Sequence, residues 1–407
     1  MRMIEKPELQ ISDKVAGIPE ALSVYMNNVV YAMKRRDIPI VTLSLGEAYF
    51  DIPFWGFEDE DIRKGYHYSE SLGLPELRSK IAAYYSEQYQ AVVNGEKDLL
   101  ISAGSKPLIF MALQAVLNPG DEVLLHDPEW LSYAEQIKLA GGVPVYIPYG
   151  CKPCDFENYI TERTKVLIIN NPNNPAGIVY RKEDLAALYR TCRPRGIYIL
   201  ADEAYSDFIT DGSFVSMLHV VPDKDGIIVV NSLSKNLGIS GWRIGYVISM
   251  PTMIHEILKL NQHLVTCASS LLLLYVAKHF EELLQLTLPQ AQAITRRRNE
   301  MEKYIRSQGL QTLEGSATFY IFVSIGAYPH SAIEFALYLL FRYHISVVPG
   351  SAYGKSTSRF IRIGVGTESD ATMHEAIGII KKVIQEQEYD EGFVERSYAD
   401  FGIEKFQ

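Results

Sequence analysis

Seven short runs, DLLISAG, DEVLLHDP, VPVYIPY, KVLIINNP, IYILADEAY, GIIVVNSLSK and RIGYVIS, recur between residues 98 and 249. Segments with helical spacing near 106–117, 130–140 and 182–192 lie between them. The runs are apolar at successive positions, not at alternate ones, as strands are when helices cover both faces of their sheet. That alternation confines the chain to an α/β architecture with a mostly parallel sheet. After about residue 250 the texture changes to long helices, including one around 286–308 that carries Arg296, Arg297 and Arg298. TFYIFVSI, a helix near 331–343, ISVVPG, RFIRIGV and a last helix near 370–387 then predict a second, smaller α/β unit. Periodicity does not assign the first forty residues to either unit.

Composition excludes several classes. With 407 residues, 47% hydrophobic and 22% charged, the chain can bury one large core or two modest ones, and disorder is ruled out. Lys+Arg 39 against Asp+Glu 49 leaves a net charge of −10, which argues against a broad nucleic-acid or anionic-membrane footprint. Phosphate groups, if bound, must meet local sites. MRMIEKPELQ has charges where a signal peptide needs its apolar stretch, and LLLLYVA at 271–277 is too short to span a bilayer, so a soluble, cytoplasmic protein is expected. Four cysteines in so long a chain make no disulfide scaffold. Cys151 and Cys154 form a C-x-x-C, but no second ligand pair stands at metal spacing and the nine histidines form no close cluster, so no metal is expected.

In open parallel sheets, ligands sit beyond the carboxyl ends of the strands. GSK follows DLLISA, DPEW follows DEVLLH, NNPNNPAG follows KVLII, DEAY follows IYILA, and SLSK follows GIIVVN, so five strand ends offer polar groups to one cleft. Within SLSKNLGISGWRIGY, residues 232–246, the hydroxyls of Ser232 and Ser234 and the fork of Arg243 suit a phosphate dianion, and Gly238 and Gly241 let backbone approach it. Asp202, at the end of an apolar strand, is costly unless it caps a helix or pairs with a cation or a protonated heterocycle. Asn and Pro explain NNPNNPAG as a turn. His126, beside Asp127, reads as a structural strand-end residue.

SLSK…GWRIGY, DEAY, NNPNNPAG, SLGEAYFDIP, YSESLGLPELR and NPGDEVLLHDPEWLSY, which stand along the chain in the family's order, together resemble the class I/II aminotransferases. These are pyridoxal 5'-phosphate enzymes of the fold type I, aspartate-aminotransferase-like superfamily. The resemblance runs from about residue 15 to 387 and implies a large cofactor-binding domain at 47–283. Residues 1–46 and 284–407 would form the small domain, with an N-terminal arm and a C-terminal extension. It implies transfer of an amino group between an L-amino acid, aspartate among the options, and a 2-oxo acid. The same fold hosts β-eliminases, synthases and decarboxylases, and a non-catalytic cofactor-binding protein would have lost Lys235.

By this resemblance Lys235 matches the lysine that forms the internal aldimine with the cofactor aldehyde. Asp202 matches the carboxylate that keeps the pyridine nitrogen protonated, Tyr205 and Asn174 the pair that bonds the phenolic oxygen, and Trp130 the aromatic stacked on the ring. The phosphate is expected against Gly104, Ser105, Lys106, Ser232, Ser234 and Arg243. Arg362 matches the arginine that grips the substrate α-carboxylate, with Gly46, Asn174 and Trp130 beside it. Arg359 and Arg362 are three apart, so on a strand only one can enter the site. Lys106 matches a lysine that lies near the distal carboxylate in an aspartate-specific branch. Tyr68, with Tyr66 as its near neighbour, matches a tyrosine reaching the phosphate of the neighbouring subunit, so a homodimer with shared sites is implied. The family's Gly-Glu-Pro-Asp-Phe is here GEAYF, its Asn-Pro-Thr-Gly is NPAG, the stretch from Pro53 to Tyr68 is too short for the helix usual there, and the tail after 387 runs past the usual end.

Overall fold

The computed structural model describes residues 9–406. The described residues form twelve strands: β1 (Val41–Thr42), β2 (Leu99–Ser102), β3 (Glu122–His126), β4 (Val143–Ile147), β5 (Thr164–Asn170), β6 (Tyr198–Asp202), β7 (Ile227–Ser232), β8 (Gly245–Ser249), β9 (Tyr320–Ser324), β10 (Ile345–Ser346), β11 (Val348–Pro349) and β12 (Phe360–Gly364). Seven of them make one sheet in the order β2-β8-β7-β6-β5-β3-β4. β8 runs antiparallel to both its neighbours, and the other pairs are parallel.

Successive side chains of a strand point to opposite faces, and here both faces are covered. Leu99, Ile101, Leu167, Ile169 and Ile199 enter one core, while Leu100, Val166, Ile168, Leu200 and Val230 enter another on the reverse face. The edge strand β4 departs from the expected pattern. VPVYIPY reads as covered on both faces, yet Val143 and Tyr146 are 44% and 46% exposed because nothing packs beyond the edge.

A third core joins the helix Leu22–Lys34 to β9, β12 and the helices Ala332–Tyr343 and Asp370–Glu386. The sheet β11-β12-β9 is antiparallel, and β1 pairs in parallel with β10, so the segment before residue 46 packs with the C-terminal elements. The tail is ordered against them. Its helix Glu391–Phe401 stacks Phe401 on Phe341, with ring centroids 5.8 Å apart. Beyond it Phe406 lies 5.1 Å from Tyr25, whose hydroxyl donates to the Glu404 carbonyl at 2.9 Å.

The stretch from Pro53 to Tyr68 does hold a helix, Asp59–Gly65, opened by three acids and closed by Arg63 and Lys64 in accord with the helix dipole. Before it, Phe54, Trp55 and Phe57 gather on Tyr275.

Candidate active site

β5, β6 and β7 end side by side, with Asn170 opposite Asp202, so the Asn171–Asn174 loop, Asp202 and the Ser232–Lys235 turn emerge along one edge. Because β8 runs against its neighbours, it is its beginning that lies at this edge, and Gly245 pairs with both Ser232 and Ser102. That reversal delivers Arg243 to the loop after β2. Two glycines make the approach possible: a Cβ on Gly104, at φ 96°, would sit 2.6 Å from Arg243 Nη2, and one on Gly245 would sit 2.3 Å from the Ser105 amide. Arg243 itself is held in the left-handed region at φ 56°, a strained conformation of the kind that concentrates at functional sites, with Nη1 donating to the Ser240 carbonyl at 2.9 Å.

Ser105 opens the helix Ser105–Val116, whose first amides face the same space. Ser232 Oγ accepts from the Ser234 amide at 3.0 Å and donates to the Ile244 carbonyl at 3.3 Å, while Ser234 Oγ is buried with no partner among the described residues. A helix N-terminus, a guanidinium and an orphaned hydroxyl around a gap cut by glycines fit a phosphate group.

Lys235 Nζ donates to the Gly46 carbonyl at 2.5 Å and lies 6.0 Å from the Tyr205 ring centroid. Its turn is anchored from beneath, since Asn236 Nδ2 donates to Asp207 at 2.9 Å. Asp207 also accepts from the hydroxyls of Tyr84, at 2.5 Å, and Tyr89. Asp202 accepts from the Tyr133 hydroxyl at 2.6 Å and from the Ala204 amide at 3.1 Å. Burial pushes the Asp202 carboxyl up, against the pull of those bonds and of the Lys235 charge. A protonated ring nitrogen at this carboxylate would reverse that balance. Trp130 meets Tyr133 edge-on at 5.2 Å, and Lys106 Nζ lies 5.0 Å over the Trp130 ring. Burial, then the charge of Arg243, pulls the Lys106 ammonium down.

Asn174 Nδ2 donates to the Tyr205 hydroxyl at 3.4 Å, and the Tyr205 and Tyr320 hydroxyls share a bond at 3.0 Å. Arg362 lies between the rings of Tyr320 and Tyr353, 4.1 and 5.0 Å from their centroids. Its bonds are long, Nη1 to Asn174 Oδ1 at 3.4 Å and Nη2 to the Ser44 carbonyl at 3.2 Å, and Nε has no partner. The side chain is buried, and no carboxylate pairs with it among the described residues. A buried guanidinium so poorly matched is a site for an incoming carboxylate. Arg359 turns away, to the carbonyls of His330 at 2.8 Å and Gly326 at 3.0 Å, as the spacing requires.

Lys235, Asp202, Tyr205, Asn174, Trp130, Gly46 and Arg362 thus come together beside the cradle of Gly104, Ser105, Lys106, Ser232, Ser234 and Arg243. Tyr68 does not join them: it is 86% exposed and no hydrogen bond holds it among the described residues. Tyr133, Tyr320, Tyr353 and Asp207 were not marked by the sequence. Tyr133 stands three positions after Trp130 in DPEWLSY, at the first residue of the helix Tyr133–Leu139, and nothing in the sequence singled it out. His126 Nδ1 bonds the Tyr180 hydroxyl at 2.7 Å, outside this cluster. Cys151 and Cys154 are free thiols. Among the described residues no group of three His, Cys, Asp or Glu side chains is arranged to hold a metal, and no helix is long and apolar enough to cross a membrane.

The family model for aminotransferase class I and II matches residues 51–380. The aspartate aminotransferase of Thermotoga maritima is 30% identical over 88% of this chain and 95% of its own. A probable aspartate/prephenate aminotransferase of Aquifex aeolicus is 32% identical over 92% of this chain and 99% of its own. Among solved structures, the aspartate aminotransferase of Thermus thermophilus with maleate aligns with a TM-score of 0.83 at 26% identity, covering 92% of this chain and all of that one. The aromatic aminotransferase of Pyrococcus horikoshii aligns with a TM-score of 0.77 at 27% identity, over 88% and 99% of the two chains. With this fold, this strand-end cleft and these relatives, the chain belongs to the class I and II aminotransferases, pyridoxal-phosphate enzymes that move an amino group between an amino acid and a 2-oxo acid.

Proposed function

We propose that Lys235 is the catalytic base of this aminotransferase, that Asp202, Tyr205, Asn174 and Trp130 hold the cofactor ring, and that Gly104, Ser105, Lys106, Ser232, Ser234 and Arg243 hold its phosphate. Bound pyridoxal phosphate supplies an electron sink for the bonds at the substrate α-carbon. The chain supplies position and protons. Arg362 takes the α-carboxylate of an L-amino acid in a bidentate grip and thereby orients the α-hydrogen toward Lys235 Nζ, which removes it and later returns it, a step that depends on proximity. Asp202 holds a proton on the ring nitrogen, and Tyr133 holds Asp202. The observation that carries this reading is the buried Arg362 guanidinium with no anionic partner among the described residues, in one cleft with Lys235.

Borohydride reduction of the cofactor-loaded protein, followed by peptide mapping, tests the assignment. The label is expected on Lys235. A label on Lys106, or none in protein shown to be loaded, overturns it.

The enzyme works as a homodimer in the cytoplasm, divided near residues 47 and 283 into large and small domains. Support for the dimer comes from Tyr68, left 86% exposed, and from the exposed aromatics Phe54 and Tyr66 on the neighbouring stretch. Mixing Tyr68→Phe chains with Lys235→Ala chains should restore one active site per heterodimer, assembled from the intact Tyr68 and the intact Lys235. Exchange of subunits without restoration would assign Tyr68 to its own chain or to no role.

A further inference from the structure

Each step along a helix turns the side chain by about 100°, so Arg296, Arg297 and Arg298 leave the helix Phe280–Ser307 in three directions. Arg296 is exposed, Arg297 half-buried and Arg298 fully buried, on the face shared with Ala291, Thr295, Glu302 and Ile305. A guanidinium so placed is costly unless its donors are used.

Arg298 directs them at one loop. Its Nε donates to the Tyr320 carbonyl at 2.9 Å, and its Nη1 donates to the Gly315 carbonyl and pairs with Glu302. Beside it, Asn299 Nδ2 donates to the Ser316 carbonyl at 3.2 Å. One planar fork thus holds both ends of the loop 315–320. Glu302 does not depend on it alone, since its other oxygen accepts from Arg306 at 2.9 Å and from the Thr312 hydroxyl at 2.8 Å.

The loop is pressed onto two parts of the site. The amides of Ser316 and Ala317 donate to the Gly177 carbonyl at 3.0 and 3.1 Å, at the end of the turn that carries Asn174. A Cβ on Gly315 would sit 1.8 Å from the Ala176 carbonyl oxygen. The Thr318 amide donates to the Phe208 carbonyl at 2.9 Å, and the Phe208 amide donates to the Tyr205 carbonyl at 2.9 Å. Thr318 lies at φ 66°, which a β-branched residue avoids, so the surroundings must impose the shape of this loop. At its end the Tyr320 hydroxyl bonds Tyr205 at 3.0 Å, and the Tyr320 ring centroid lies 4.1 Å from the Arg362 guanidinium.

We propose that Arg298 is a positioning residue of the reaction: by holding the carbonyls of Gly315 and Tyr320 it fixes the loop that steadies Asn174 and Tyr205 and sets the Tyr320 ring against Arg362. This rests on the aminotransferase reading above and gives that site a determinant on the helix Phe280–Ser307. Arg298 acts through Tyr320 and the loop, never on the reacting atoms.

The visible absorbance of bound pyridoxal phosphate changes with its protonation, so a pH titration of the holoenzyme reads the hydrogen bonds at the phenolic oxygen without turnover. Donors to that oxygen favour its deprotonated form, and a loosened Tyr205 should therefore raise the midpoint. Arg298→Lys keeps a cation beside Glu302 but replaces the fork with a point charge. It is expected to raise the midpoint by about half a pH unit and the donor KM about threefold. Arg298→Met should move both further, and if it fails to fold, Arg298→Lys decides. Arg306→Met removes the other cation from Glu302 and should move neither. Urea unfolding ranks the variants by stability alongside. A midpoint and KM left at wild-type values in Arg298→Lys, whatever its loss in urea, make Arg298 a structural residue and overturn the proposal. Equal shifts in Arg306→Met overturn it as well, because they would follow the pairing of Glu302 and not the loop. Tyr205→Phe reports on the underlying reading: a midpoint it leaves unmoved removes Tyr205 from the phenolic oxygen, and the proposal with it, whereas a midpoint moved by Tyr205→Phe and not by Arg298→Lys removes the proposal alone.

Discussion

Asp207 and Glu129 are equally buried, each 7% exposed, and both lie on loops that leave the C-terminal edge of the large sheet. Their neighbours treat them differently. Asp207 accepts from Tyr84, Tyr89 and Asn236, so its desolvation is offset by three donors and it fixes the turn that carries Lys235. Glu129 Oε2 accepts from no donor among the described residues. A satisfied buried network rigidifies and specifies one geometry, whereas an unsatisfied one costs stability until something fills it. One carboxyl is held by three donors and fixes the turn that carries Lys235, and the other is buried with one oxygen left without a donor among the described residues.

Loss of the amine itself should have the largest effect. Lys235→Ala is expected to lower turnover by about a thousandfold or more with every donor, since a proton-transfer group held in place contributes on that scale. Exchange of the substrate α-hydrogen with solvent is the measurement. If exchange persists near the wild-type rate, Lys235 is not the base and the value of an anchored turn beneath it disappears.

Stability should separate the two carboxyls next. Asp207→Ala leaves three donors without an acceptor and is expected to cost about 3–5 kcal/mol. Glu129→Met, which fills the same volume without charge, should be neutral or stabilising by about 1 kcal/mol, as replacement of an uncompensated buried acid often is. Urea unfolding of both variants in the same buffer reads this. Equal losses would mean that Glu129 is satisfied in solution and that the contrast is false.

His126 shows both conditions in one side chain, with Nδ1 bonded to Tyr180 and Nε2 buried without a partner. Burial lowers its pKa to about 4. An ordinary histidine in the unfolded chain titrates near 6.5, so the stability from keeping this ring neutral is complete above about pH 6.5. As the pH falls toward 4, the unfolded chain binds a proton that the native ring refuses, and about 3 kcal/mol should be lost over that interval. His126→Gln should lack this component, so that the two unfolding free energies converge between pH 7 and 4.5. Parallel curves would show that the ring charges as freely in the native state as outside it.

Much of this was legible in the chain itself, for reasons that differ by residue. Asp202 could be found because a carboxylate closing an apolar strand demands a partner. Ser232, Ser234, Lys235 and Arg243 stood out as polar groups among glycines. Tyr133, Tyr320 and Tyr353 did not, because an aromatic in an apolar stretch reads as core, and only the fold reveals that their hydroxyls and faces meet Asp202, Tyr205 and Arg362. Glu129 stands beside Trp130 in DPEWLSY, and an acid in a strand-end loop reads as solvated. Whether a donor reaches Glu129 depends on elements brought together from distant parts of the chain, which local pattern does not show. The exposed edge of β4 and the short helix Asp59–Gly65 were missed because local apolar pattern does not say what packs beyond an edge or how few residues a turn of helix needs.

The smallest expected effect tests whether Tyr320 acts through its hydroxyl on Tyr205 or through its ring on Arg362. Its hydroxyl bonds Tyr205 at 3.0 Å and its ring lies 4.1 Å from the Arg362 guanidinium. Tyr320→Phe keeps the ring under the cation and removes one neutral hydrogen bond, worth about 1 kcal/mol, so a loss of about fivefold in kcat is expected. KM for the donor should stay nearly constant, because the platform under Arg362 is intact. Tyr320→Leu removes the platform as well, and its KM should rise further for every amino acid that uses the α-carboxylate. Steady-state kinetics of the two variants with one good donor decide the matter. If Tyr320→Phe raises KM as much as Tyr320→Leu does, the hydroxyl and not the ring holds Arg362 in place, and Tyr320 acts on the substrate through Arg362 alone.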